Sequence, residues 1–383
     1  MFKSLRAART LSALFLAIFF MFIGDALALS SAGVILKMRG QSDLIIGIIS
    51  SFFFLGAISS VFFTPTIIGR FAHVRSYYIF SVVFALCALA HDISANLAFW
   101  AILRFGLGFC YYALLMIIES WINSKITNSI RSRVLAVYEI VFYGAFTVGV
   151  GIIALNLSAN LIFFLSGFFI LFGLVPLKFM RFNPPAKAQK ATICMPKISV
   201  LPPLALATAV CGGILINGFF SMASVYVLSS GNVSQVGWFM GLAMVGGFIS
   251  QIFASPVSDF FGRRKAIMLV CAIGACSALG LFATRNFEVK CALAFLLGFG
   301  VFPLYSLAIA RANDSFTNSS SISRVQISAS LLFSYSLSSF FSPIIIGGAM
   351  KVFGAEGFSA VFFVAMVFLL VFAYFRPEIA PKI

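Results

Sequence analysis

Asp25, Arg104 and Glu139 each stand inside a long apolar run. An ionisable group at such depth is costly, so each is expected to face a partner or a wet cavity. An acid and a base on neighbouring helices at one depth can pass a proton or hold a polar solute. No H-E-x-x-H, no nucleophile elbow and no phosphate-binding glycine loop is present. Catalytic residues and an enzymatic function are therefore not expected. Seven cysteines form no C-x-x-C pair, and His73 and His91 are the two histidines, so neither a metal site nor a cofactor is expected.

The elements that must position these residues follow from composition. Hydrophobic residues make up 62% of the 383 and charged ones 9%, with a mean hydropathy of +1.10. A soluble domain carries about 25% charged residues. Twelve apolar runs can be placed, at about 11–36, 44–68, 76–90, 98–121, 133–155, 159–180, 201–228, 235–257, 266–283, 289–310, 325–350 and 357–375. The fold class is an all-α polytopic membrane protein. The opening, with Lys3, Arg6 and Arg9 before Ala26-Leu27-Ala28, also fits a signal peptide, but the repeat described below needs this run as an uncleaved first helix.

The net charge of +16 orients the chain and does not point to nucleic acid. With a cytoplasmic N-terminus, twenty basic residues fall on the inner side and five on the outer, with Arg104 inside a helix. That asymmetry places both termini in the cytoplasm.

The second half repeats the first. At an offset of 190, Gly47 meets Gly237, Gly56 meets Gly246, Ser60 meets Ser250 and Arg75 meets Lys265. Ser132-Arg133-Val134 matches Ser323-Arg324-Val325 at 191, and Gly106-x-Gly108 matches Gly298-x-Gly300 at 192. At 192 Asp25 falls opposite Asn217. Two six-helix pseudo-repeats, 1–180 and 200–383, are expected on either side of a basic, proline-containing cytoplasmic linker at 181–199.

The stretch SPVSDFFGRRK, Ser255 to Lys265, resembles the G-x-x-x-D-[RK]-x-G-[RK]-[RK] signature of the major facilitator superfamily, carried by Asp259, Gly262, Arg263 and Arg264. Ser255 stands where the first glycine belongs and Phe260 replaces a basic residue. The corresponding GRFAHVR of the first half keeps Arg70 and Arg75 but has Gly69 at the acidic position and Ala72 at the glycine position. RFGLGF at Arg104 resembles the family's helix-4 pattern. IIESWIN at 117–123, FPLYSLAIARAND at 302–314 and the run 331–343 are similar to the YcaD-like bacterial branch.

The resemblance implies the twelve-helix major facilitator fold in a bacterial inner membrane, and alternating access around a midplane site lined by the first, fourth, seventh and tenth helices. Asp25 lies about 22 Å from the inner end of its helix and Arg104 about 10 Å from the outer end of its own. In a core about 30 Å thick these depths coincide. An Asp25–Arg104 pair is expected, as a proton-coupling site or as a permanent structural salt bridge. Glu139 is a second candidate. Asn217, Tyr111, Tyr112, Tyr226 and Tyr305 are candidates to line a solute pocket, with lipid-facing packing as the alternative for any one aromatic. Asp259, Gly262, Arg263 and Arg264 are expected to clasp Asp314 and Arg324 at the cytoplasmic rim. Arg70, Arg75, Glu119 and Arg133 are their first-half counterparts. The function expected is a secondary transporter of a small organic solute, proton-coupled and monomeric, with an uncoupled uniporter or a multidrug antiporter as alternatives. The missing G-P pair in YGAFTVGVG leans against the last.

Overall fold

The computed structural model describes residues 2–125, 131–179, 197–314 and 324–378, and no side chains at 2–11, 123–125, 131–133, 200, 255, 324 and 325. The expected linker up to residue 196 lies outside the described residues. These form helices α1 (Phe2–Met38), α2 (Asp43–Ala90), α3 (Leu97–Lys125), α4 (Arg131–Ile153), α5 (Ala159–Phe172), α6 (Leu174–Leu177), α7 (Pro203–Ser230), α8 (Val233–Phe261), α9 (Arg263–Ala283), α10 (Phe287–Val301), α11 (Leu304–Asp314), α12 (Arg324–Phe353) and α13 (Glu356–Tyr374). Helices are what such a sequence must form, because a lipid-exposed backbone has to satisfy its N–H and C=O groups within the segment.

Among the described residues, eleven stretches are long and apolar enough to cross a membrane. The second of these, α2, makes two passes because its backbone leaves helical geometry at Ala72 (φ 63°, ψ 165°). Twelve passes result among the described residues. The tenth is α10 continued by α11, interrupted at Phe302 and Pro303, where proline cannot donate to the preceding turn.

The chain gathers into two compact units. One is Met1–Ile35 with Phe52–Thr192, and the other is Leu36–Ser51 with Ile193–Ile383. Sequence order puts 36–51 with the first repeat. In space this segment packs on α12, where Gly47 meets the backbone of Pro343 and Gly347 that of Asp43. An ion pair of 2.5 Å from Lys37 to Asp43 closes its turn.

Each unit is built on helix crossings at glycines. Lipid tails are as apolar as the side chains, so helices associate where small residues let backbones approach. In the first unit Gly56 of α2 lies on the backbone of Phe105 in α3, and Gly108 of α3 on that of Phe53. In the second, Gly246 of α8 lies on the backbone of Phe295 in α10, and Gly298 on that of Ala243. All four residues of one crossing map onto the other at an offset of 190. Gly108 therefore corresponds to Gly298, and the match of Gly106 with Gly298 at 192 is displaced by two residues. A G-x-G pair can be aligned on either of its glycines; contact decides which.

The two bends correspond as well. Ala72 and Gly262, 190 apart, both have positive φ (63° and 94°). That region, with ψ near 160°, is essentially reserved for glycine, and a side chain there costs about 1–3 kcal/mol. Ala72→Gly should therefore stabilise the protein by about 1 kcal/mol after the added entropy of the unfolded chain is subtracted. A higher midpoint of thermal unfolding in detergent is the expected result. A lower one would mean that residue 72 is not held in this conformation.

Candidate functional site

Asp25 lies on α1 and Arg104 on α3, and both are buried, 2% and 1% exposed. Each is the charge that acts on the other. They nevertheless make no ion pair within 4.0 Å. Arg104 Nη2 instead donates to the carbonyls of Ala28 (3.0 Å) and Leu29 (3.5 Å) one turn along α1. Arg104 Nε and Nη1 and one Asp25 carboxylate oxygen, Oδ1, are buried without a hydrogen-bond partner. At the position that corresponds to Arg104 in the second unit stands Ala294, fully buried. The residue opposite Asp25, Asn217, donates to Ser339 Oγ at 2.6 Å and to the Gly213 carbonyl at 3.3 Å. At the 190 offset from Arg104 and the 192 offset from Asp25, the second unit thus carries an alanine and a neutral amide.

The aromatic candidates are packed. The Tyr111 ring lies 5.9–6.2 Å from Phe22, Phe53 and Phe84, and 5.3 Å from Tyr112. Tyr305 lies 4.5 Å from Tyr335, and Tyr226 stacks on Phe358 at 4.7 Å.

Glu119 is expected at the cytoplasmic rim near Arg70 and Arg75. Among the described residues no ion pair joins it to Arg70 or Arg75. Arg75 is exposed, and the Arg70 guanidinium lies 5.5 Å over the Phe71 ring. The reason is helical phase. Ser120, about 100° further round α3 than Glu119, is the residue that meets the bend of α2. There His73 Nε2 and Ser120 Oγ share a hydrogen bond of 3.1 Å. The Arg133 side chain lies outside the described residues.

In the second unit Arg263 is the centre of a charged cluster. Arg263 Nε donates to Asp314 Oδ2 at 2.6 Å and Arg263 Nη1 to Ser258 Oγ at 2.8 Å, and Nη1 also pairs with Asp259. Asp259 is 59% exposed, whereas Arg263 and Asp314 are 13% and 14%. An exposed ion pair contributes little, so Asp314 is the partner that holds Arg263. Arg264 turns instead to Glu378, 3.4 Å from its Nε, and Arg311 Nη1 reaches the same carboxylate at 3.8 Å. The Arg324 side chain lies outside the described residues. Arg311 lies within the fragment FPLYSLAIARAND, which gives it no role, and Glu378 carries no motif. His73 stands where the 190 offset puts Arg263, a correspondence that could have drawn attention to it.

Residues 229–382 match the family model described as Major Facilitator Superfamily. The chain is similar to an uncharacterised MFS-type transporter of Enterobacter sp. (strain 638), 26% identical over 306 residues, and to MFS-type transporter YcaD of Escherichia fergusonii, 25% identical over 303 residues. The alignments cover 78% of this chain and 78% of each relative. A bacterial homologue of the human lysosomal transporter Spinster, in an inward-facing and occupied conformation, shares the fold with a TM-score of 0.71 at 14% identity, over 96% of both chains. The nucleoside transporter NupG shares it with a TM-score of 0.68 at 13% identity, over 94% of this chain and 97% of that one.

Proposed function

We propose that this integral membrane protein of the major facilitator superfamily, similar to its YcaD-type transporters, moves a small organic solute by alternating access and couples that movement to protons. The observation that carries the reading is the pair of buried charged side chains in the first unit. Asp25 and Arg104 are both buried, Arg104 bonds to α1 one turn from Asp25, and Oδ1, Nε and Nη1 have no hydrogen-bond partner. A permanent salt bridge would join the two groups directly and satisfy those atoms. Groups held apart suit a transient partner, a proton on Asp25 or a polar solute reaching both. The excess of basic residues on one side supports an inner-membrane protein with both termini in the cytoplasm.

The test is the internal pH of proteoliposomes, with wild type or Asp25→Asn, while pooled metabolites and drugs are added outside. Solute-triggered proton flux is expected in the wild type, with a loss of about tenfold or more in the variant, which has no carboxylate to load. Solute uptake without proton movement, equal in both proteins, would identify an uncoupled uniporter and make the pair structural.

A further inference from the structure

After α13 ends at Tyr374, the chain runs over the bend between α8 and α9. The Glu378 carboxylate accepts the backbone N–H of Arg264 at 3.1 Å, lies 3.4 Å from Arg264 Nε and 3.8 Å from Arg311 Nη1. Arg264 is the second residue of α9, so its N–H is one of the four amides that have no partner inside the helix. No side chain at the helix's own N-terminus caps it. A carboxylate from another helix does so, and negative charge is favoured at that end. Gly262 makes room for it, since a Cβ there would stand 2.8 Å from the Glu378 carboxyl carbon.

The carbonyls beside Glu378 complete the contact. Arg311 Nη2 donates to Pro377 O at 2.6 Å, and Arg264 Nη1 to Arg376 O at 2.8 Å and Tyr374 O at 3.4 Å. One short segment therefore ties the ends of α9, α11 and α13. The Arg263–Asp314 pair joins α9 to α11 without reaching α13.

We propose that Glu378 is a positioning residue of the signature bend: it caps α9 and locks the ends of α9, α11 and α13 into one body that moves together. That this body moves rests on the transport reading; the lock does not. In this chain the glycine of the signature has a second task beside its backbone conformation, which is to admit Glu378.

The experiment is hydrogen–deuterium exchange on the full-length protein in nanodiscs, without solute, for wild type, Glu378→Gln, Glu378→Asp and a chain ending at Pro377. Peptides covering 263–268 and 308–314 are expected to exchange about tenfold faster in Glu378→Gln and in the shortened chain, and peptides from α10 at the wild-type rate. Glu378→Asp should recover part of the protection, because the charge remains on a shorter arm. Unchanged exchange at 263–268, or equal acceleration in all helices, would overturn the proposal. Should Glu378→Gln not yield folded protein, the aspartate variant and the shortened chain carry the same comparison. Loss of the lock with no transport in any protein would overturn the transport reading alone. Intact transport with unchanged exchange would overturn the lock alone.

Discussion

Arg104→Leu is expected to destabilise the protein by about 3 kcal/mol, and Asp25→Asn in the same chain to restore more than half of that loss. Arg104 is 1% exposed and is the positive charge that acts on Asp25. Removing it leaves the Asp25 carboxyl in an apolar interior with no compensating charge, and keeping that group ionised or protonating it is the larger part of the cost. The contacts of Nη2 with Ala28 and Leu29 are the smaller part, because those carbonyls belong to a helix that already has its own hydrogen bonds. Neutralising Asp25 removes the larger part. Thermal unfolding of the four proteins in one detergent forms a double-mutant cycle. Additive losses would mean that the two residues are not a coupled pair, and the proton-coupling reading would lose its basis.

The second large effect falls on the glycine crossings. Gly108→Ala and Gly298→Ala should each cost about 2–4 kcal/mol, since the new Cβ meets backbone rather than a side chain that can rotate away. The Phe53 carbonyl in one unit and the Ala243 carbonyl in the other can yield only if whole helices shift. Gly144→Ala and Gly151→Ala provide the contrast. Nothing lies within 4 Å of a Cβ at either position, and replacing glycine inside a helix should be neutral or stabilising by up to about 1 kcal/mol. The fraction of monodisperse protein after heating measures all four. If all four variants behaved alike, helix propensity rather than close approach would be deciding the outcome. A loss at Gly108 without one at Gly298 would mean that the two repeats do not use the same crossing.

The sequence alone determined the class of the protein and its division into passes. Apolar runs long enough to span a bilayer must be helices there, and charge asymmetry does not depend on the fold. The repeat was legible as an offset near 190, and the bend at Gly262 as a glycine between two helices. The nearness of Arg104 to the turn of α1 that follows Asp25 was legible in outline, because 1.5 Å per residue turns sequence position into membrane depth.

Depth is not contact, however. Tertiary structure decided that Arg104 bonds to backbone carbonyls of α1 while Asp25 Oδ1 has no partner. It decided, by 100° of helical phase, that Ser120 and not Glu119 meets the bend of α2. It also replaced the Gly106–Gly298 alignment with Gly108–Gly298, and brought Glu378 over 100 residues along the chain to the N-terminus of α9. Hydropathy reports whether a residue sits in the membrane, averaged over some twenty positions. Which neighbour a side chain meets depends on the rotation and crossing of each helix, and these are set by the glycine contacts that fix one backbone against another.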